Sequence, residues 1–179
     1  MNNKAILLAI LLSTSLIGTP YAENNNDTRV FNEGIEAYND GEYQLAFRKW
    51  KSLVPEIHYV SFNFDNPPIK IPGIEAKAEY ELGFLYENGL GVLKSYITAY
   101  EHYKWSEKWN YPQAQLASAK LTIKTIEGDL IKGITEEKRL KGYKQASESL
   151  SKLYENERAT DKMREEAQEL WNKYELYNY

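Results

Sequence analysis

Ala76-Lys-Ala-Glu-Tyr-Glu-Leu-Gly-Phe-Leu-Tyr-Glu-Asn-Gly-Leu-Gly-Val92 is the stretch that decides the fold. Small residues stand at Ala76, Ala78 and Gly83, and large apolar ones at Tyr80, Leu82, Leu85 and Tyr86. Apolar positions at 82, 85, 86 and 89/90 form one stripe of a helix, so the segment is expected to bury a face. Asn88-Gly89 then stops it, because glycine takes the left-handed conformation that closes a helix C-terminus. Gly91 frees the chain before a second amphipathic run, Tyr96-Ile-Thr-Ala-Tyr-Glu-His-Tyr-Lys-Trp105. The unit reads as two helices joined by a Gly-x-Gly turn.

Alanine early in the first helix, Leu82-Gly83, Tyr86, Gly89-Leu90-Gly91-Val92, then Ala99 and the aromatic Tyr103 form a pattern that closely resembles the Sel-one-like repeat, a relative of the tetratricopeptide repeat. On that resemblance Ala78, Leu82, Gly83, Tyr86, Gly89, Gly91, Ala99 and Tyr103 are structural repeat positions. Two positions depart from the pattern: Ser95 replaces the usual Asp and His102 the usual Trp. Serine still caps a helix. One family period of about 36 residues beyond Ala78 lies Ala114, in Tyr111-Pro-Gln-Ala-Gln115, which opens a degenerate further unit with Ser118-Ala119 in place of Leu-Gly. Upstream, Phe31 to Trp50 reads as a tetratricopeptide-like hairpin turning at Asn39-Asp40-Gly41, with helices over 28–39 and 42–54. Ala46 and Trp50 stand there as Ala99 and Tyr103 do in the next unit.

The resemblance therefore implies an all-α chain: a short right-handed α-solenoid of about three helical hairpins, spanning 28–158, with a C-terminal capping helix over 159–179. Thr135-Glu-Glu and Thr160-Asp161 are cap-and-acid starts for two late helices. Leu140, Tyr143, Ala146, Leu150, Leu153 and Tyr154 are the expected buried stripe of the first, and Met163, Ala167, Leu170, Trp171 and Tyr174 that of the second.

Residues 55–73 break this grammar. They hold four of the six prolines, and the spacing from Ala46 to Ala99 exceeds the family period by about 17 residues. Val60, Phe62 and Phe64 alternate with polar residues as a short strand does. This non-helical insert either covers the first hairpin or serves as a recognition loop.

Ahead of the repeats, Lys4, the apolar run Ala5 to Ile17 and Thr19-Pro-Tyr-Ala22 have the layout of a secretory signal peptide over 1–22, with cleavage expected after Ala22. A polar leader, 23–27, follows. These features predict a periplasmic or secreted protein with no membrane insertion after signal removal. The 22 basic residues less Lys4 leave 21 against 26 acidic ones, a net charge of −5 beyond the signal. That balance argues against nucleic acid as a partner, since phosphate affinity rests on Lys and Arg. There is no cysteine, so neither a disulfide nor a lipid-bearing Cys enters.

Catalytic patterns do not stand out. The two histidines, His58 and His102, fall in different elements, and no nucleophile elbow or phosphate loop occurs. Glu75, Glu79, Glu81 and Glu87 spread around one helix as a solvated face does. No enzyme activity, cofactor or metal is expected. The resemblance implies a non-catalytic scaffold that holds another protein. A second reading is a periplasmic immunity protein neutralising a secreted toxin, and a third a cell-wall or β-lactam hydrolase. Tyr59, Phe62, Phe64 and Tyr80 are the expected partner contacts, because aromatic anchors dominate binding hot spots.

Overall fold

The computed structural model describes residues 25–54, 73–128 and 133–179. Among them the protein is all-helical, with no strand: α1 (Asn25–Asn39), α2 (Tyr43–Lys51), α3 (Ile74–Asn88), α4 (Tyr96–Lys108), α5 (Pro112–Ile126), α6 (Glu136–Glu155) and α7 (Asp161–Lys173), then a 3₁₀ turn at Leu176–Asn178. Each helix packs on the next in chain order, most extensively α1 on α2, α3 on α4 and α5 on α6. The signal peptide expected over 1–22, and the insert apart from Gly73, lie outside the described residues, as do Tyr59, Phe62 and Phe64.

Local chemistry sets the helix ends. Gly89 closes α3 in the left-handed conformation (φ 70°), and Leu90 N–H then bonds Leu85 O at 3.0 Å. Ser95 caps α4, its Oγ accepting from Thr98 N–H at 3.2 Å. Pro112 opens α5, where a missing N–H costs nothing. Thr135 and Thr160 cap α6 and α7 through Lys138 N–H and Met163 N–H. Gly91 has a sharper role than loosening the chain. At φ 68°, a Cβ there would lie 2.5 Å from the Tyr43 carbonyl carbon, so the turn after α3 rests directly on the start of α2.

One contact recurs along the molecule. A Cβ at Gly34 would collide with the Trp50 indole, and one at Gly83 would lie 2.6 Å from the Tyr103 ring. The α1–α2 and α3–α4 pairs thus each close on a glycine under an aromatic side chain, whereas α5–α6 closes with Gly142 against Ile126. Trp50 and Tyr103 are fully buried, with Ala46 and Ala99 one turn before them. Three hydrophobic clusters follow in chain order: one around Trp50, Ala78 and Leu85, one around Ala99, Tyr103 and Leu121, and one around Ala119, Leu150, Ala167 and Leu176.

Two expected surfaces are corrected. Helix α3 buries Ile74, Ala76, Ala78 and Glu79 as well as Leu82, Gly83 and Leu85, so more than one stripe is covered, because neighbours pack on both its sides. In α6, Leu140 and Tyr154 are exposed. They begin and end the stripe, beyond the central turns occupied by Ala146, Leu150 and Leu153, which are fully buried.

Candidate functional site

Neighbouring helices sort the four α3 carboxylates that the sequence reading left on one solvated face. Glu79 does not belong there. It is buried, and its Oε2 meets His102 Nδ1 of α4 at 2.5 Å. His102 stacks on Tyr86 (5.4 Å, 12°), so the imidazole packs against a ring with its polar atom matched. Glu87 accepts from the Tyr103 hydroxyl at 2.7 Å. Among the described residues both have partners on α4.

Glu81 has none. No donor or cation among the described residues meets its carboxylate, and Lys77, one turn before it, forms no ion pair with it. Burial alone pushes its carboxyl up to about 7. Aromatic rings lie within reach of its charge, which acts on the phenols of Tyr38, Tyr80, Tyr103 and Tyr111. Tyr38 of α1 meets Phe84 of α3 edge-on at 6.1 Å. Tyr80 packs at 5.7 Å against both Tyr103 of α4 and Tyr111 at the start of α5. Tyr80 and Tyr111 are half-buried, and burial, reinforced by the charge of Glu81, pushes each phenol up to about 12. The hydroxyls of Tyr38, Tyr80 and Tyr111 donate to no group among the described residues.

The field here is negative: Glu87 and Glu166 also raise Tyr80. A half-buried carboxyl near amphipathic rings with free hydroxyls can accept a cation and hydrogen-bond its surroundings. Of the contacts expected from sequence, Tyr80 is the one that falls in this site. Tyr38, Tyr111 and Glu81 were missed, because their proximity is created by α1 and α5 coming alongside α3. Ala78, Leu82, Gly83, Ala99 and Tyr103 are core, while Tyr86, Gly89 and Gly91 are half-buried around the α3–α4 turn.

A second carboxylate on the α4 side is treated differently. Glu107 is buried where α4, α5 and α6 meet. Its Oε2 accepts from Ser118 at 2.6 Å and Ser149 at 2.9 Å, and its Oε1 pairs with Lys104 at 2.8 Å and Lys152 at 3.1 Å. Burial pushes this carboxyl up, but Lys104, Ser118 and Lys152 together outweigh it and hold it below the usual carboxylate range. Ser118 has its explanation here: an apolar residue at that position would leave a Glu107 oxygen short of a donor.

An open groove of about 870 Å³ runs between the starts of α4 and α6 over α5, lined by Tyr96, Tyr100, Leu121 and Ile126 with Lys138 and Lys141 on its rim. It contains none of the partner contacts expected from sequence. No group of three potential metal-ligating side chains comes together among the described residues, and no helix there is long and apolar enough to cross a membrane. Compared with protein-family models, curated proteins and solved structures, the chain matches none.

Proposed function

We propose that the protein is an exported, non-catalytic scaffold that holds another protein on the exposed side of α3. In this reading its helices form a short right-handed solenoid of about three Sel-one-like hairpins, with α7 as the cap. The recurring glycine-under-aromatic contact and the stacking of helices in chain order support that architecture. The observation that carries the function is the Tyr38–Tyr80–Glu81–Tyr111 surface. It combines aromatic area, unused hydroxyls and an unmatched carboxyl, which a protein would not maintain for its own stability.

Affinity capture from periplasmic extract tests the reading. One stoichiometric protein should be retained by wild type and lost with the Tyr80→Ala/Tyr111→Ala double variant at unchanged helicity. Equal capture by both proteins would move the binding surface elsewhere, the insert first, where deleting 57–70 is the matching experiment. If the captured protein is a toxin, the scaffold is an immunity protein. Hydrolysis of cell-wall or β-lactam substrates by the purified protein would replace the scaffold reading with the enzymatic one.

A further inference from the structure

The geometry points to Glu81 as the acceptor for a basic side chain, arginine or lysine, presented by the partner protein, an inference that rests on the scaffold reading and names the chemistry of its central contact. Three observations converge. The carboxylate is half-buried with no donor or cation upon it. Its charge reaches Tyr38 and the packed Tyr80–Tyr111 pair, and such rings attract cations to their faces. The chain is acidic overall, at −4, and Glu87 and Glu166 add to the negative field at Tyr80. The two fully buried carboxylates nearby are matched, Glu79 by His102 and Glu107 by two lysines and two serines. The half-buried Glu81 has no such partner among the described residues, and a cation from outside would supply it.

Arginine fits better than lysine. Its planar guanidinium can bond the carboxylate with two parallel N–H groups while lying against a tyrosine ring.

The contact carries a pH dependence. The charge of Glu81 reaches Tyr38 of α1, Tyr80 of α3, Tyr103 of α4 and Tyr111 before α5, and Glu87 of α3 and Glu166 of α7 also reach Tyr80. The phenols are all raised, so none ionises near neutrality. Glu81, with its carboxyl at about 7, is then the group that switches. A cation binds the ionised form, so affinity should fall about tenfold between pH 8 and pH 6.

The test uses purified protein and a small probe, Nα-acetyl-arginine amide, followed by the ring NMR signals of Tyr80 and Tyr111. Wild type should show saturable shifts, tighter at pH 8 than at pH 6 by that factor. Nα-acetyl-norleucine amide should give none, and Glu81→Gln should weaken the arginine probe by about tenfold or more and abolish its pH dependence. Equal response to both probes, undiminished binding by Glu81→Gln, or no saturable shift with arginine would overturn the assignment. The probe needs no partner, so its failure is distinct from a failed capture experiment.

Discussion

Glu107 and Glu81 are both carboxylates withdrawn from water on neighbouring helices, and the protein treats them in opposite ways. Glu107 is surrounded by two ammonium groups and two hydroxyls drawn from three helices, and its charge is held. Glu81 has rings and no cation, and its charge is discouraged. The first arrangement ties α4, α5 and α6 together. The second spends stability at a surface, and a spent surface is where binding is to be sought.

The largest effect should come from breaking the frame that places both groups. Gly83→Leu drives a side chain into the Tyr103 ring and the Ala99 carbonyl, from which even a Cβ would be 2.6 and 3.1 Å away. We expect a loss above about 4 kcal/mol, seen as absent or non-cooperative thermal unfolding by circular dichroism. Ala99→Trp should do the same from the other side. Unchanged melting in both variants would remove the close-approach account of the α3–α4 seam.

Next is Glu107→Ala. It strands Ser118 and Ser149 in the interior and leaves Lys104 and Lys152 unmatched, at a cost of about 3 kcal/mol in urea unfolding. Both lysines reach solvent in part, which keeps the figure from rising further. A loss under about 1 kcal/mol would mean that water replaces the carboxylate without difficulty.

Glu81→Gln should act with the opposite sign. Removing a charge that burial penalises stabilises the protein by about 2 kcal/mol at pH 8, after allowance for partial exposure. The gain should shrink as pH falls and vanish below the ordinary carboxylate value of 4.5, where Glu81 is protonated in the folded and unfolded chain alike. The pH profile separates the two sites further. A carboxyl raised to about 7 binds its proton in the folded state before the unfolded one does, so wild-type stability rises as pH falls from about 7 toward the usual carboxylate range. Glu107, held low, contributes stability that is present above that range and is lost as pH falls through its folded value. The result is a stability maximum on the acid side of neutrality. Glu81→Gln flattens its alkaline flank and leaves the acid flank in place.

The smallest effect should be at the exposed pair Lys120–Glu166 (2.6 Å), where Lys120→Ala changes stability by less than about 0.5 kcal/mol. A larger change would show that α5 and α7 depend on this contact more than their hydrophobic cluster implies.

What the sequence made legible was local. Gly89, Ser95, Pro112, Thr135 and Thr160 act through neighbours one turn away, and all take up the expected roles at helix ends. Gly83 was readable as a small residue, although only the fold reveals the ring above it, and Gly34 under Trp50 was not singled out. Charge placement was not legible. Nothing within α3 distinguishes Glu79 from Glu81, which stand two residues apart; the difference is that His102 comes to one and tyrosines to the other. Tyr80 was found because large aromatics draw attention, while Tyr38 and Tyr111 lie 42 and 31 residues away from it and join it only through packing. Tyr59, Phe62 and Phe64 fall in the insert, beyond what the described residues can place.

The three hydrophobic clusters, strung in chain order instead of merged, divide the molecule's resistance to opening. Helices α3 and α5 each contribute to two clusters, whereas α1, α2, α6 and α7 belong to one end or the other. Amide hydrogen exchange should therefore slow toward the middle and proceed independently at the two ends. A protein gripping α3 would then leave a lopsided footprint, protecting the backbone amides of α1 through α4 and leaving those of α6 and α7 exchanging as they do in the free chain.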